Sequence, residues 1–333
     1  MLTVILGAGA SYDAVPAIPI GQSDTRRLPL ADELFDLRGD QALRFFPACA
    51  PLVPLLRSRP RNVSVEERLD ELQQESESDS RRQAQLLAVR FYLQYMIFER
   101  TQEWSGASVG HTNYVTLLDE IRNLSSVGGP VAIVTFNYDT MIESAFTATT
   151  GRTFGELDDY VAGDTRLFKV HGSTNWARQV PLEQEPAGTV WAEVAYLIEQ
   201  AHTLPAPTTY TVIGNDHPFG GSRMSRTIPA IAIPFRRKLD FACPEAQLTL
   251  LDRILPSTTR LLVIGWGARD THFLPKLATI PATAKGLIVA GNREDSEGVA
   301  QRLVAAGVTA PCDIFPDGFT AFVRERAIRP FLA

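Results

Sequence analysis

The chain alternates between short runs of consecutive apolar, often β-branched residues and longer stretches in which apolar positions recur at helical spacing. The runs are Thr3–Leu6, Val131–Thr135, Leu167–Val170, Leu261–Ile264 and Leu287–Ala290, with a weaker sixth at Asp313–Phe315. Apolar residues on consecutive rather than alternate positions mean that both faces of each strand are covered, the pattern of a parallel sheet between helical layers. Gly or Asn turn signals follow the runs, and helical patterns follow the turns. With right-handed crossovers, this order predicts an α/β fold: a Rossmann-like, doubly wound parallel sheet of about six strands.

Two stretches interrupt the rhythm. Residues 41–109 carry no strand signal and hold two helical patterns. The first is Val65–Gln74, with Ser64 and Glu67 at capping-box spacing. The second is Arg82–Arg100, where Leu86, Val89, Leu93, Met96 and Ile97 form an apolar stripe. The polar segment Glu75–Arg82 between them reads as a solvated turn. Residues 178–230 are rich in Pro and Gly, with one helical piece at Val190–Ala201, and read as a loop-rich insertion over the mouth of the sheet. The expected organisation is therefore a Rossmann domain of residues 1–40 and 110–333, a helical insertion at 41–109, and a second insertion at 178–230 within the Rossmann part.

Composition narrows the chemistry. With 45% apolar residues among 333, a large core can be buried. The net charge of −6 gives no global footprint for nucleic acid, so direct nucleic-acid binding is not expected. Cys49, Cys243 and Cys312 lie far apart without a C-x-x-C pair, so they read as buried reduced thiols and no metal site is expected. No apolar run nears the roughly 20 residues of a membrane helix, and the chain opens directly into a strand pattern. A cytoplasmic protein without signal peptide or membrane span is expected.

The first strand runs into Gly7-Ala8-Gly9-Ala10-Ser11. Glycines there let the backbone turn sharply and approach a pyrophosphate, with helix N–H groups facing the anion. Tyr12 leaves the G-x-G-x-x-G pattern incomplete, so a tight turn without ligand is the plainer alternative. Pro16, Pro19, Gly21 and Pro29 mark a long loop before an expected helix at Ala31–Leu37, placed to cover a bound dinucleotide. The second strand ends in Thr135-Phe136-Asn137-Tyr138-Asp139 and the third in Lys169-Val170-His171-Gly172-Ser173, with Asn175-Trp176 beyond. In an open parallel sheet, ligands collect beyond the carboxyl ends of strands, where these motifs fall. Asn and Asp after a strand also serve as turn or cap residues, a reading that stays open for Asp139. Asp270 reads as a helix N-cap. His111, His202, His217 and His272 read as structural, and Arg26 and Arg27 as part of a solvated loop.

Together these motifs resemble the sirtuin-like superfamily. Gly7-Ala8-Gly9-Ala10-Ser11 is similar to its glycine turn, Thr135–Asp139 to its Thr-x-Asn-x-Asp box, and His171-Gly172 to its His-Gly pair. Gly265-Trp266-Gly267 falls where that family has a Gly-rich ribose-phosphate turn, and Asn292 where it contacts the adenosine half. The wording of residues 170–176 and 264–270 is closest to a prokaryotic branch associated with anti-phage NAD depletion. The resemblance implies NAD as substrate, bound by Gly7, Ala8, Gly9, Ser11, Gly265, Gly267 and Asn292. It implies catalysis by Asn137 and His171 with Asp139, and nicotinamide and ADP-ribose as products. Trp176 would pack on the nicotinamide ring or anchor the insertion. The two C-x-x-C pairs of sirtuin deacylases are missing, so no zinc is expected and protein deacylation is put in doubt. An NAD-dependent deacylase or ADP-ribosyl transferase, and a non-catalytic NAD- or ADP-ribose-binding subunit, are the alternatives. The resemblance also implies control by a separately encoded sensor, ATPase or nucleotide-handling subunit, or by homo-oligomerisation.

Overall fold

The computed structural model describes all residues except 19, 61–62, 77–78, 125–128, 182–187, 208, 215–216, 218, 220–226 and 234–241. Pro19, the middle of the Glu75–Arg82 turn and much of the 178–230 segment thus lie outside the described residues.

Six parallel strands form the central sheet: β1 (Leu2–Leu6), β2 (Val131–Thr135), β3 (Thr165–Lys169), β7 (Arg260–Ile264), β8 (Lys285–Val289) and β9 (Cys312–Phe315). Their order is β3-β2-β1-β7-β8-β9, that of a doubly wound Rossmann-like sheet. The apolar runs explain the layering. Val4, Leu6, Ile133 and Leu262 enter one core, while Ile5, Val134, Val263 and Ile288 enter another on the opposite face. Alternate side chains of a strand point to opposite faces, so a fully apolar strand requires two covers.

Helices supply them. The first core takes residues of α6 (Asn113–Leu124), α7 (Met141–Thr150), α12 (Gly318–Arg324) and α13 (Ile328–Leu332). The second takes residues of α9 (Glu245–Ile254), α10 (Leu274–Leu277) and α11 (Arg293–Ala305). The crossover from β1 to β2 begins with the short α1 (Ala8–Tyr12) and holds α2 (Asp40–Leu43), α3 (Val53–Arg57), α4 (Val65–Ser76) and α5 (Ser80–Gly106). α5 overruns its apolar stripe at both ends. Asp79 caps it by accepting from Arg81 N and Arg82 N, and at the far end buried Trp104 donates Nε1–H to the Ser11 carbonyl at 2.9 Å.

The structure departs from two sequence expectations. Ala31–Leu37 is no helix but two single 3-10 turns, Ala31–Glu33 and Leu37–Gly39. Glu33 accepts from Leu30 N at the start of the first turn, whereas Asp36, with ψ 178, leaves helical geometry and caps the second by accepting from Arg38 N. The segment expected to be loop-rich contributes to a second sheet. β4 (Gly172–Gln179) pairs antiparallel with β5 (Tyr210–Val212) and β6 (Thr227–Ile231). This sheet and α8 (Val190–Glu199) contact α5, with Gln94 Nε2 donating to the Thr174 carbonyl at 2.9 Å. Trp191 of α8 packs its ring against Phe45 and Tyr95 at 4.9 and 5.6 Å between centroids, joining the two interrupting segments.

Candidate active site

Register aligns Leu6 with both Thr135 and Ile264, Thr135 with Lys169, and Ile264 with Val289. Because the strands are parallel, the segments leaving them emerge along one edge. The chain crosses from β1 toward β2 but from β7 toward β8, and this divergence opens a crevice between β1 and β7. A cavity of about 810 Å³ fills it, a size typical of small-molecule sites (~300–1,000 Å³).

Ala8, Gly9 and Ser11 line the cavity from the first turn, with Gly265 and Gly267 opposite. Asn137, Asp139 and His171 line it at one end and Asn292 and Arg302 at the other. Leu30, Asp32 and Glu33 line it from the long loop after α1. Gly7 sits behind, its carbonyl accepting from Asn137 Nδ2 at 2.9 Å. Asn292 is exposed and caps α11 by accepting from Asp295 N at 2.8 Å.

The glycine turns are fitted to each other. Gly265 has φ +61, and a Cβ on it would fall 2.1 Å from Ala10 N and 2.4 Å from the Gly9 carbonyl carbon. Gly9 N–H donates to the Gly265 carbonyl at 2.9 Å, so that donor is engaged in joining the two turns. Only glycine fits here.

Asn137 is held by a directional network. Its other Nδ2 hydrogen is shared between Ser11 Oγ at 2.8 Å and Tyr114 OH at 3.3 Å. Ser11 Oγ donates its proton to Asp139 Oδ2 at 2.7 Å, so the contact between Ser11 Oγ and Tyr114 OH, 2.8 Å, uses the tyrosine proton. Burial pushes the Tyr114 phenol well above its ordinary pKa, which keeps it a donor. Because the Gly7 carbonyl can only accept, the amide orientation is fixed: nitrogen toward Gly7, oxygen away. Asn137 Oδ1 is buried and has no hydrogen-bond partner among the described residues.

Asp139 uses both carboxylate oxygens within the chain. Oδ2 takes the Ser11 hydroxyl, and Oδ1 accepts from Met141 N at 3.0 Å at the start of α7. Beneath this box, Lys169 at the end of β3 lies 2.8 Å from Glu143 Oε1, and both are buried. Lys169 Nζ also donates to the Asp139 carbonyl. Burial raises the Glu143 pKa, opposed by the Lys169 charge.

His171 occupies the joint between the two sheets. Gly172, next in sequence, has φ +80, and a Cβ there would lie 1.8 Å from the Ala230 carbonyl oxygen. That requirement for glycine lets β4 leave β3 sharply, with the His171 carbonyl accepting from Ala232 N at 2.9 Å. The imidazole stands edge-on to Phe136, 4.8 Å between centroids, and Phe136 stacks on Trp266 at 4.9 Å. His171 Nε2 lies 2.7 Å from Asp270 Oδ2. Asp270 does cap the following turn, Oδ1 accepting from His272 N and Phe273 N, but its second oxygen meets the histidine.

Other sequence readings resolve as follows. Arg27 is not in a solvated loop but buried. It donates to the Tyr12 and Ile18 carbonyls at 2.6 and 3.0 Å and lies over the Tyr12 and Trp104 rings at 4.8 and 5.0 Å, which replaces its hydration. Arg26 pairs with Asp24 at 2.6 Å on the surface. Trp176 is buried in the core, edge-on to Tyr160 at 4.9 Å. Cys49 and Cys243 are buried free thiols whose pKa burial drives up, while Cys312 is partly buried. Among the described residues, no helix is long and apolar enough to cross a membrane. Sequence reading missed Tyr114 and Trp266 in these roles, and it missed the second contact of Asp270.

Neither a protein-family profile nor a curated protein matches the chain. Among solved structures it is similar to a Sir2 homolog–NAD complex, with 12% identity over 100% of this chain and 90% of that one and a TM-score of 0.44. It is likewise similar to a mutant Sir2 homologue with 2′-O-acetyl ADP-ribose, with 12% identity over 100% and 93% of the two chains and a TM-score of 0.44. A Sir2–p53 peptide–NAD⁺ complex shares 11% identity over 100% and 94%, with a TM-score of 0.41. These likenesses are distant, and the chemistry of the site is read from its own atoms.

Proposed function

We propose that this protein is an NAD glycohydrolase, cleaving the nicotinamide–ribose bond to give nicotinamide and ADP-ribose. The observation that carries the reading is Asn137 Oδ1, a buried acceptor with no partner among the described residues, on a residue that lines the same switch-point cavity as His171. A buried polar atom left unsatisfied costs about 1–3 kcal/mol, and a ribose hydroxyl or an ordered water in the cavity relieves that cost. The cavity's volume, about 810 Å³, leaves room for a dinucleotide. In strand order its lining passes from the amide and imidazole after β2 and β3, suited to a sugar and a nucleophile, through the two glycine turns after β1 and β7 to Asn292 after β8, suited to the adenosine half.

Cleavage builds positive charge on the ribose as the C1′–N bond breaks and its electron pair neutralises the departing pyridinium. A water oxygen then bonds to C1′, and its proton passes to His171 and on to solvent. NAD⁺ and water thereby give nicotinamide, ADP-ribose and one proton. In this scheme Asn137 fixes the sugar or water through Oδ1, and His171 takes the proton. Asp139 acts on Asn137 through Ser11. The Asp139 carboxylate also brings negative charge to the end of the cavity where the cation forms.

The motif resemblance supplies a setting: NAD depletion in anti-phage defence, under a separately encoded partner or self-association, since unrestrained hydrolysis would drain the cell. The test is nicotinamide release from NAD by the purified protein, alone and with the products of neighbouring genes. Release of nicotinamide and free ADP-ribose, lost in Asn137→Ala and His171→Ala, supports the reading. Tight NAD binding with no turnover under any condition would overturn it in favour of a binding subunit, and acetyl-ADP-ribose or labelled protein in favour of acyl or ADP-ribosyl transfer. Full-rate hydrolysis by the isolated chain would contradict partner control.

A further inference from the structure

We infer that Asp270 is a positioning residue for the reaction, forming with His171 a carboxylate–imidazole dyad that fixes the ring's tautomer and stabilises its protonated form. This rests on the glycohydrolase reading for its consequence, but its physical basis is independent of it.

The two residues are 99 positions apart, and only the strand order brings them together. His171 follows β3, while Asp270 follows β7, across two intervening strands. The carboxylate is oriented before the histidine meets it. Oδ1 accepts from His272 N at 3.2 Å and from Phe273 N at 2.9 Å, which points Oδ2 at Nε2, 2.7 Å away. Both side chains are only 9% exposed, so water competes little for the contact. The adjoining Ala268 has φ +49, an uncommon conformation for a residue with a Cβ, in the turn that carries Asp270. A helix cap alone needs only Oδ1. Oδ2 reaches beyond the cap to the imidazole.

An ionised carboxylate can only accept, so neutral His171 carries its proton on Nε2 and its lone pair on Nδ1. When the ring takes the proton of the attacking water at Nδ1, the resulting imidazolium faces a fixed negative charge. No proton moves onto Asp270. It is returned from Nδ1 to solvent after nicotinamide leaves. Among the described residues, Phe136 stands edge-on to the ring at 4.8 Å and Tyr138 stacks at 6.2 Å, and the charged Asp139 and Arg269 line the same cavity. The Asp139 carboxylate oxygens are engaged by Ser11 and Met141 N, whereas Asp270 Oδ2 is in contact with the imidazole.

The discriminating variant is Asp270→Asn. Asparagine caps a helix as well as aspartate, so Oδ1 keeps its two backbone donors while the new amide nitrogen can no longer accept from Nε2–H. Two measurements are made on the full chain. The first is kcat and KM for NAD across pH, under whichever condition activates the wild type. The expected result is a fall in kcat on the order of 10²–10⁴-fold, with KM little changed and the acid limb moved to lower pH. The second is NMR titration of the His171 ring nitrogens, assigned by the signal lost in His171→Gln. Wild type should show Nε2–H in the neutral form and a higher ring pKa than Asp270→Asn. Unchanged kcat and acid limb, or an unchanged tautomer and titration, would overturn the dyad. If wild type never turns over NAD yet its His171 titration drops in Asp270→Asn, the dyad stands and the glycohydrolase reading fails.

Discussion

Replacing Gly265 with alanine should separate the two turns that floor the cavity, and the expected cost can be worked from the structure. The residue sits at φ +61, where a side chain costs about 1–2 kcal/mol. Its Cβ would meet Ala10 N, Gly9 C and Gly9 Cα at 2.1, 2.4 and 2.8 Å, all backbone atoms of α1 and its leading turn. None of these can rotate away as a flexible side chain could. Moving them breaks the 2.9 Å bond from Gly9 N–H to the Gly265 carbonyl, about 0.5–1.5 kcal/mol. Forced overpacking adds about 1–3 kcal/mol. The sum is about 3–6 kcal/mol, or roughly 6–12 °C in Tm at ~2 °C per kcal/mol for a chain of this length. Gly267→Ala is the control. It lies two residues on in the same motif, and a Cβ there approaches only the Arg269 side chain, at 3.8 Å. It should stay within ~0.5 kcal/mol of wild type. Urea unfolding followed by circular dichroism reads the stabilities, and calorimetric titration with ADP-ribose reads the floor of the site. Equal stability of both variants, or Gly265→Ala within about 1 kcal/mol of wild type, would refute the backbone-contact argument.

Three further outcomes are expected. Tyr114→Phe removes a buried donor to Ser11 and an acceptor for Asn137 Nδ2. It should cost about 1–2 kcal/mol in urea unfolding and lower kcat for nicotinamide release more than it raises KM, since the phenol acts through Asn137. Lys169→Met strands the buried Glu143 carboxylate, and should cost about 3–5 kcal/mol; Lys169→Met/Glu143→Gln should recover much of that in the same assay. Glu120 is held below the ordinary glutamate pKa by its hydrogen bonds with Arg329, which tie α13 to α6. A depressed carboxylate pKa gives stability that is complete above the unfolded-state value and is lost as pH falls through the folded one. Acid unfolding should therefore be less steep in Glu120→Gln at the low-pH end, with the variants converging once Glu120 is protonated.

The strands of the central sheet were legible because a strand buried on both faces is apolar at nearly every position, as in Leu2–Leu6 and Val131–Thr135, each with a single threonine. The second sheet was not. β4 reads Gly-Ser-Thr-Asn-Trp-Ala-Arg-Gln, and its Ser173, Thr174 and Asn175 are buried through contacts with Tyr138, Gln94 and Tyr160 that lie elsewhere in the chain. Ala31–Leu37 has helical composition, but Asp36 takes extended geometry and turns its carboxylate onto Arg38 N, ending the first turn and starting another. In the candidate site, the residues written next to strand ends were visible, because glycine turns and short polar motifs leave a local mark. Tyr114, Asp270 as partner of His171, and Arg27 were out of reach. Their roles depend on sheet order and on a loop folding back, and neither leaves a periodic signal.

Nicotinamide release from NAD, followed for wild type, Asn137→Ala and His171→Ala with and without the products of neighbouring genes, bears most directly on the central claim. The account predicts turnover by wild type in at least one of these conditions, equal amounts of nicotinamide and free ADP-ribose, and loss of turnover in both variants while their unfolding curves stay within ~1–2 kcal/mol of wild type. Turnover undiminished in both variants, or none by wild type in any condition, would contradict it.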